Sequence, residues 1–260
     1  MLVDSHCHLD FKEFSEDFAE VLENAKLRNV NCLQTICTKI SEFAKIRNII
    51  DKYDFIYGSV GNHPCEVEKQ ILLSPGEIVE YTAHPRIISI GETGLDYYHD
   101  ISFKDKQITS FINHITAARM TDLPVIIHTR EAEDDTLEII ASELKKGKFR
   151  ALIHCFTASR EFADKCLELG LYISVAGIVT FKNAKELQET VKSIPLERLL
   201  VETDSPYLAP APNRGKRNEP SFVADTAKFL ADLKEVSFEE LAEITTNNFY
   251  ELFSKAERRL

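Results

Sequence analysis

The chain has 260 residues, 44% hydrophobic and 28% charged, a make-up that suits one large domain with a substantial core. Its net charge of -11 argues against partners held by bulk electrostatics, such as a long DNA duplex or an anionic membrane surface. No apolar run approaches the ~18 residues of a membrane-spanning helix and the N-terminus lacks a signal-peptide layout, so a cytoplasmic protein is expected.

The first candidate strand, Leu2 to Ser5, runs directly into DSHCHLD. His6 and His8, on alternate residues of an extended segment, point the same way and can grip one metal ion. A helix follows, with Phe14, Phe18, Val21, Leu22 and Ala25 on one face at helical spacing. Next come a strand Asn31 to Cys37, a helix Ile40 to Asp51, a strand Phe55 to Val60, a short helix Pro75 to Tyr81 and a strand Ile87 to Gly91. A helix Phe103 to Thr121 leads to strand Pro124 to His128, and a helix Glu131 to Lys146 leads to strand Ala151 to His154. The alternation continues with helix Ser159 to Leu169, strand Leu171 to Val175, helix Asn183 to Ser193, strand Leu199 to Glu202 and helix Ser221 to Leu233. A last helix, after Ser237, opens with a capping box between Ser237 and Glu240.

Eight strands that are apolar on both sides and joined by helices predict a parallel sheet closed into a (β/α)8 barrel, with one additional C-terminal helix and a single domain over 1–260. A doubly wound open sheet is the alternative, but no G-x-G-x-x-G follows the first strand. The Pro-rich piece LAPAPNRGKRNEP is too short to divide domains.

Catalytic groups of such a barrel sit where strands end. The strand ends carry His6 and His8, His63 in GNHP, Glu92 in GETGLDYY, His128 in VIIHTRE, His154 in LIHCFTAS, and Glu202 and Asp204 in VETDSPYLAP. One histidine ending a strand is more often structural than a ligand; five of the chain's eight gathered at strand ends point to a shared metal site. His84, His99 and His114 fall in loop or helix and receive no role. Nitrogen and carboxylate donors together suit zinc, manganese or iron better than magnesium, and six ligands suffice for two ions, with Glu92 the natural bridge. The six cysteines show no CxxC pair and read as reduced thiols, with Cys7 and Cys155 as packing residues.

Taken together, DSHCHLD, GNHP, GETGLDYY, PVIIHTREA, HCFTAS and ETDSPYLAP, followed by RGKRNEP, resemble the TatD family of metal-dependent deoxyribonucleases within the amidohydrolase superfamily. The resemblance implies a TIM barrel with two divalent metal ions (Mg, Mn or Zn). In that arrangement His6, His8, Glu92 and Asp204 hold one ion, while Glu92, His128 and His154 hold the other. It also implies DNA as the partner, single-stranded or at its 3′ end. Where the family has an aliphatic residue before the third-strand His-Pro, this chain has Asn62.

Two ions ~3.5–4 Å apart activate a water and clamp both oxygens of an in-line displacement at phosphorus. Asp204 is then the expected general base, Glu92 the bridge, and His63 a donor to the phosphate or the leaving oxygen. Arg130, Arg214, Lys216 and Arg217 are the candidate phosphate contacts, Phe156 and Tyr207 the candidate base-stacking rings, and Glu202 a candidate partner for a ligand histidine. The alternative functions are hydrolysis of a small-molecule or aminoacyl-tRNA ester or amide, and a non-catalytic metal-binding protein. A closed barrel has no sheet edge to share, so a monomer is expected.

Overall fold

The computed structural model describes residues 1–258. Eight parallel strands form one sheet in sequential order: β1 (Leu2–Cys7), β2 (Val30–Thr35), β3 (Ile56–Val60), β4 (Ile87–Asp96), β5 (Val125–Arg130), β6 (Ala151–Ile153), β7 (Tyr172–Val175) and β8 (Leu199–Val201). The sheet closes on itself through a bridge between Cys7 and Ser205, flanked by hydrogen bonds from Asp204 N–H to His6 O (2.9 Å) and from His8 N–H to Ser205 O (2.9 Å). Helices α1 (Phe18–Leu27), α2 (Phe43–Lys52), α3 (Pro75–Tyr81), α4 (Lys104–Thr121), α5 (Glu133–Lys146), α6 (Arg160–Glu168), α7 (Lys185–Ser193) and α8 (Val223–Lys234) alternate with the strands, and α9 (Phe238–Leu252) follows. This is the TIM barrel with an additional C-terminal helix that the patterning predicts.

Two apolar cores hold it together. The larger lies between the strands' outer faces and the helices, around Phe14, Phe111, Ile115 and Phe162. The smaller gathers one residue from each strand: Val3, Cys32, Tyr57, Ile88, Ile126, Leu152, Tyr172 and Leu200. Phe249, Leu252 and Phe253, from α9 and the residue after it, seal this layer, so the extra helix forms the floor of the barrel. In a strand every second residue shares a face. Two positions beyond Ile126, Leu152 and Leu200 stand His128, His154 and Glu202, so the floor residues and the site residues are successive layers of one interior.

Several boundaries differ from the sequence expectation. Phe14 lies in a separate 3-10 turn, Lys12–Phe14, where it is fully buried, and α1 begins only at Phe18. A 3-10 turn at Gly177–Thr180 precedes α7, which starts at Lys185 rather than Asn183. The short helix α3 has a complete capping box, with Ser74 and Glu77 satisfying each other's backbone. At α9 the Ser237 half of the expected box is formed, the Glu240 N–H donating to Ser237 Oγ at 3.1 Å.

The largest difference is in β4, which continues five residues past Gly91 to Asp96. GETGLD reads as loop because of its glycines and charges. In the barrel it pairs with β5, Gly94 opposite His128 and Asp96 opposite Arg130. Gly91 and Gly94 both have φ +134°, and a Cβ on Gly94 would lie 2.0 Å from the His128 carbonyl oxygen. Only glycine permits that approach, which brings Glu92 and His128 side by side.

Candidate metal centre

The barrel's C-terminal rim assembles all seven predicted metal or catalytic side chains. His6 and His8 come from β1 and the residue after it, His63 follows β3, Glu92 is within β4, His128 within β5, His154 follows β6 and Asp204 follows β8. Glu92, almost fully buried, stands in the middle.

Its two oxygens face two donor sets. Around Oε2, His6 Nε2 lies at 3.4 Å, and Asp204 Oδ1 lies 3.6 Å from His6 Nε2 and 3.3 Å from His8 Nε2. The two imidazole nitrogens are themselves 3.3 Å apart. Around Oε1 stand His154 Nε2 at 2.7 Å, His128 Nδ1 at 3.2 Å and His63 Nε2 at 3.3 Å. Ligands held at ~2.0–2.1 Å in a tetrahedron are separated by about 3.3 Å, so most of these spacings match the edges of a filled coordination sphere.

His128 makes the chemical argument sharper. Its Nε2 bonds to the buried Asp96 carboxylate at 3.0 Å. In the neutral ring that bond puts the proton on Nε2, leaving the Nδ1 lone pair facing the Glu92 oxygen. Two acceptors 3.2 Å apart call for a cation between them. The donor set thus fits divalent metal.

The electrostatics point the same way. Burial alone would raise the Glu92 carboxyl, but the surrounding imidazoles, His154 and His63 foremost, hold it well below its usual range. Burial also opposes charge on His154, yet Glu92 and Glu202 outweigh it and keep this imidazole well above the ordinary histidine value. Asp204 is held low against burial by His8 and His6.

The surrounding shell includes groups the sequence reading did not identify. Asp96 sits beyond the expected end of β4 and so escaped notice. Asp4 accepts from Thr203 N–H at 2.9 Å and Thr203 Oγ1 at 2.6 Å, tying β1 to the segment that carries Asp204; burial pushes its carboxyl up to about 8. Glu202 has the expected supporting position: its Oε1 lies 3.4 Å from His154 Nδ1 and accepts the Cys155 N–H at 2.8 Å, while Oε2 accepts from Ser174 Oγ. The Cys155 bond pins a residue at φ +45°, directly after a ligand histidine.

Asn62 also finds a function. Its Oδ1 accepts the Ile40 N–H at 2.8 Å, and its own N–H donates to His114 Nε2 at 3.2 Å. His114, given no role from sequence, is a buried brace that fixes the backbone just before His63.

The site opens into a cavity of about 800 Å3, lined among others by Phe11, Lys39, Arg130, Cys155, Ile178 and Tyr207. Arg130 takes the expected place beside it, with its guanidinium over the Tyr98 ring at 3.7 Å. The other three cations do not line it. Arg217 is engaged by Asp17 at 2.6 and 2.9 Å and stacks over Phe14, Arg214 packs over Phe181, and Lys216 is exposed nearby. Arg217 is thus held by partners some 200 positions earlier in the chain. Phe156 is buried against Phe162, so it packs rather than stacks on a base. Tyr207 is 53% exposed, and Phe11 stacks on His8 with ring centres 4.7 Å apart. Cys155, read as packing, in fact borders the cavity.

A carboxylate between two sets of imidazoles, at the C-terminal rim of a (β/α)8 barrel and open to a cavity, defines a metal-dependent hydrolase. Comparison with known proteins agrees. The family model described as TatD related DNase matches residues 3–254. The uncharacterized metal-dependent hydrolase YcfH of Escherichia coli K12 is 44% identical over 255 residues, covering 97% of this chain and 95% of its own. The uncharacterized metal-dependent hydrolase YabD of Bacillus subtilis is 43% identical over 253 residues, covering 97% and 99%. Among solved structures, the TatD homologue YjjV of Escherichia coli K12 superposes with a TM-score of 0.90 at 28% identity, covering 97% of this chain and 98% of that one. The chain belongs to the TatD family.

Among the described residues no helix is long and apolar enough to cross a membrane.

Proposed function

We propose that this metal-dependent hydrolase is a deoxyribonuclease that shortens DNA from its 3′ end, using two divalent cations. The observation that carries the reading is the division of Glu92 between two donor sets at the base of a cavity whose wall offers cations, Arg130 and Lys39, and aromatic faces, Phe11 and Tyr207. His6, His8, Glu92 and Asp204 would hold one ion; Glu92, His128 and His154, with His63 close by, the other. Bound there, the ions supply Lewis acidity, lowering the pKa of water and neutralising phosphate charge.

The chain's own groups do the rest. Asp204, ionised and at the edge of the donor set, accepts the proton of the attacking water and orients it. Burial keeps His63 below the ordinary histidine value despite Glu92, so its neutral ring serves as a hydrogen-bond donor to the phosphate or leaving oxygen. Arg130 donates to a non-bridging oxygen, and Tyr207 with Phe11 offers a stacking surface for the terminal base. Strong net negative charge, with Arg130 and Lys39 in the cavity wall, suits a strand end better than a long duplex.

The test is metal-stripped protein re-supplied with Mg, Mn or Zn on single-stranded DNA labelled at the 5′ end, beside Asp204→Asn and Glu92→Ala. Stepwise shortening that both substitutions reduce by on the order of 100-fold or more supports the reading. Intact DNA under every metal, with ester or amide turnover instead, overturns it.

A further inference from the structure

A third group of metal-type donors lies at the mouth of the same cavity, outside the two sets around Glu92. Cys65 follows His63 in the 3-10 turn Pro64–Glu66, Asp96 ends β4, and His99 follows in the next loop. Cys65 Sγ lies 3.4 Å from Asp96 Oδ2 and 3.6 Å from His99 Nδ1, and His99 Nδ1 lies 2.8 Å from the same carboxylate oxygen. A zinc ion with bonds of ~2.3 Å to sulfur and ~2.0 Å to nitrogen or oxygen separates sulfur from either by about 3.5 Å. The two sulfur edges match that value; the nitrogen to oxygen edge is shorter and opens slightly on binding.

The hydrogen bonding gives an independent reason. Asp96 Oδ2, fully buried, receives His128 Nε2 at 3.0 Å as well as His99 Nδ1 and the Cys65 thiol, while Oδ1 accepts the His99 N–H at 2.9 Å. Three side-chain donors crowd one oxygen. A cation in place of the His99 and Cys65 protons relieves the crowding and leaves the His128 bond intact.

We propose that Cys65, Asp96 and His99 form a third divalent-cation site of zinc-like, sulfur-accepting character at the cavity mouth. Binding displaces the thiol proton to solvent and leaves His99 neutral with its proton on Nε2. Cys65 and His99 both line the cavity, so the ion keeps an open position facing the bound substrate. Asp96 is shared, one lone pair on the ion and another on His128, which couples this site to the ligand beside Glu92. The site goes beyond the nuclease reading and does not depend on it.

Cobalt(II) titration of the full-length chain tests it, because the donor sets around Glu92 contain only nitrogen and oxygen and give no thiolate-to-cobalt charge-transfer band. The wild type is expected to take up one thiolate-bound cobalt, seen in the near ultraviolet, beyond the ions held around Glu92. Cys65→Ser should abolish the band and lower the bound total by one per chain, and His99→Ala should weaken uptake at this site at least tenfold. Absence of the band in the wild type, or its survival in Cys65→Ser through another thiol such as Cys155, overturns the proposal. A band in a chain that leaves DNA intact supports this site while refuting the reading of substrate, so the two failures are distinguishable.

Discussion

His114 shows how much a residue remote from the chemistry decides. Its Nδ1 bonds to the Ser110 carbonyl at 2.7 Å, so that nitrogen must donate, and its Nε2 must accept the Asn62 N–H. Both contacts require the neutral ring, and burial lowers its pKa to about 4 from an ordinary 6.5. The unfolded chain therefore binds this proton at higher pH than the folded one. Its stabilising contribution is complete above pH 6.5 and is lost as pH falls from there towards 4, reaching about 3 kcal/mol. Denaturant unfolding between pH 7 and 4 should show that slope in the wild type and a smaller one in His114→Gln; equal slopes would contradict the assignment. None of this was readable from sequence, where a histidine inside a helix is uninformative and the Asn62 backbone it holds is 52 positions away.

At the level of elements, β4 and β5 form the pair on which the site depends. The strand-end histidines were legible because β-branched runs ending in His carry a clear period-2 signal. Asp96 was not, because glycines and charges hide the second half of β4, and only pairing with β5 makes that half a strand. The partners of Arg217 are hidden for a related reason: nothing local in the basic loop shows that Asp17 and Phe14, from the start of the chain, pack against it. Gly94→Ala would set a Cβ against backbone at a positive φ, with no flexible side chain to yield. We expect destabilisation on the order of 3 kcal/mol or more and loss of metal on the His128 side, checked by thermal melting and metal analysis. Gly76→Ala, in α3 with nothing within 4 Å of the new Cβ, is the control and should be neutral or stabilising by up to about 1 kcal/mol.

Across the whole molecule, stability and chemistry occupy opposite ends of the barrel interior. Phe249 of α9 is fully buried in the floor with one residue from every strand. Phe249→Ala should cost about 3–5 kcal/mol in denaturant unfolding while leaving the metal content of the folded protein unchanged. A loss of metal at the same step would mean that floor and rim are not separable. The appended helix was legible from its period and cap, but its place was not, since no local pattern says that it turns under the barrel.

The closure between the first and last strands has a further meaning. β1 meets the segment that follows β8 through the bridge at Cys7 and Ser205, its flanking hydrogen bonds and the bonds from Thr203 to Asp4. His6 and His8 stand on one side of that meeting and Asp204 on the other. The protein therefore resembles a bracelet whose clasp lies beside its candidate metal donors: an ion held by the proposed set would add a second fastening across that clasp.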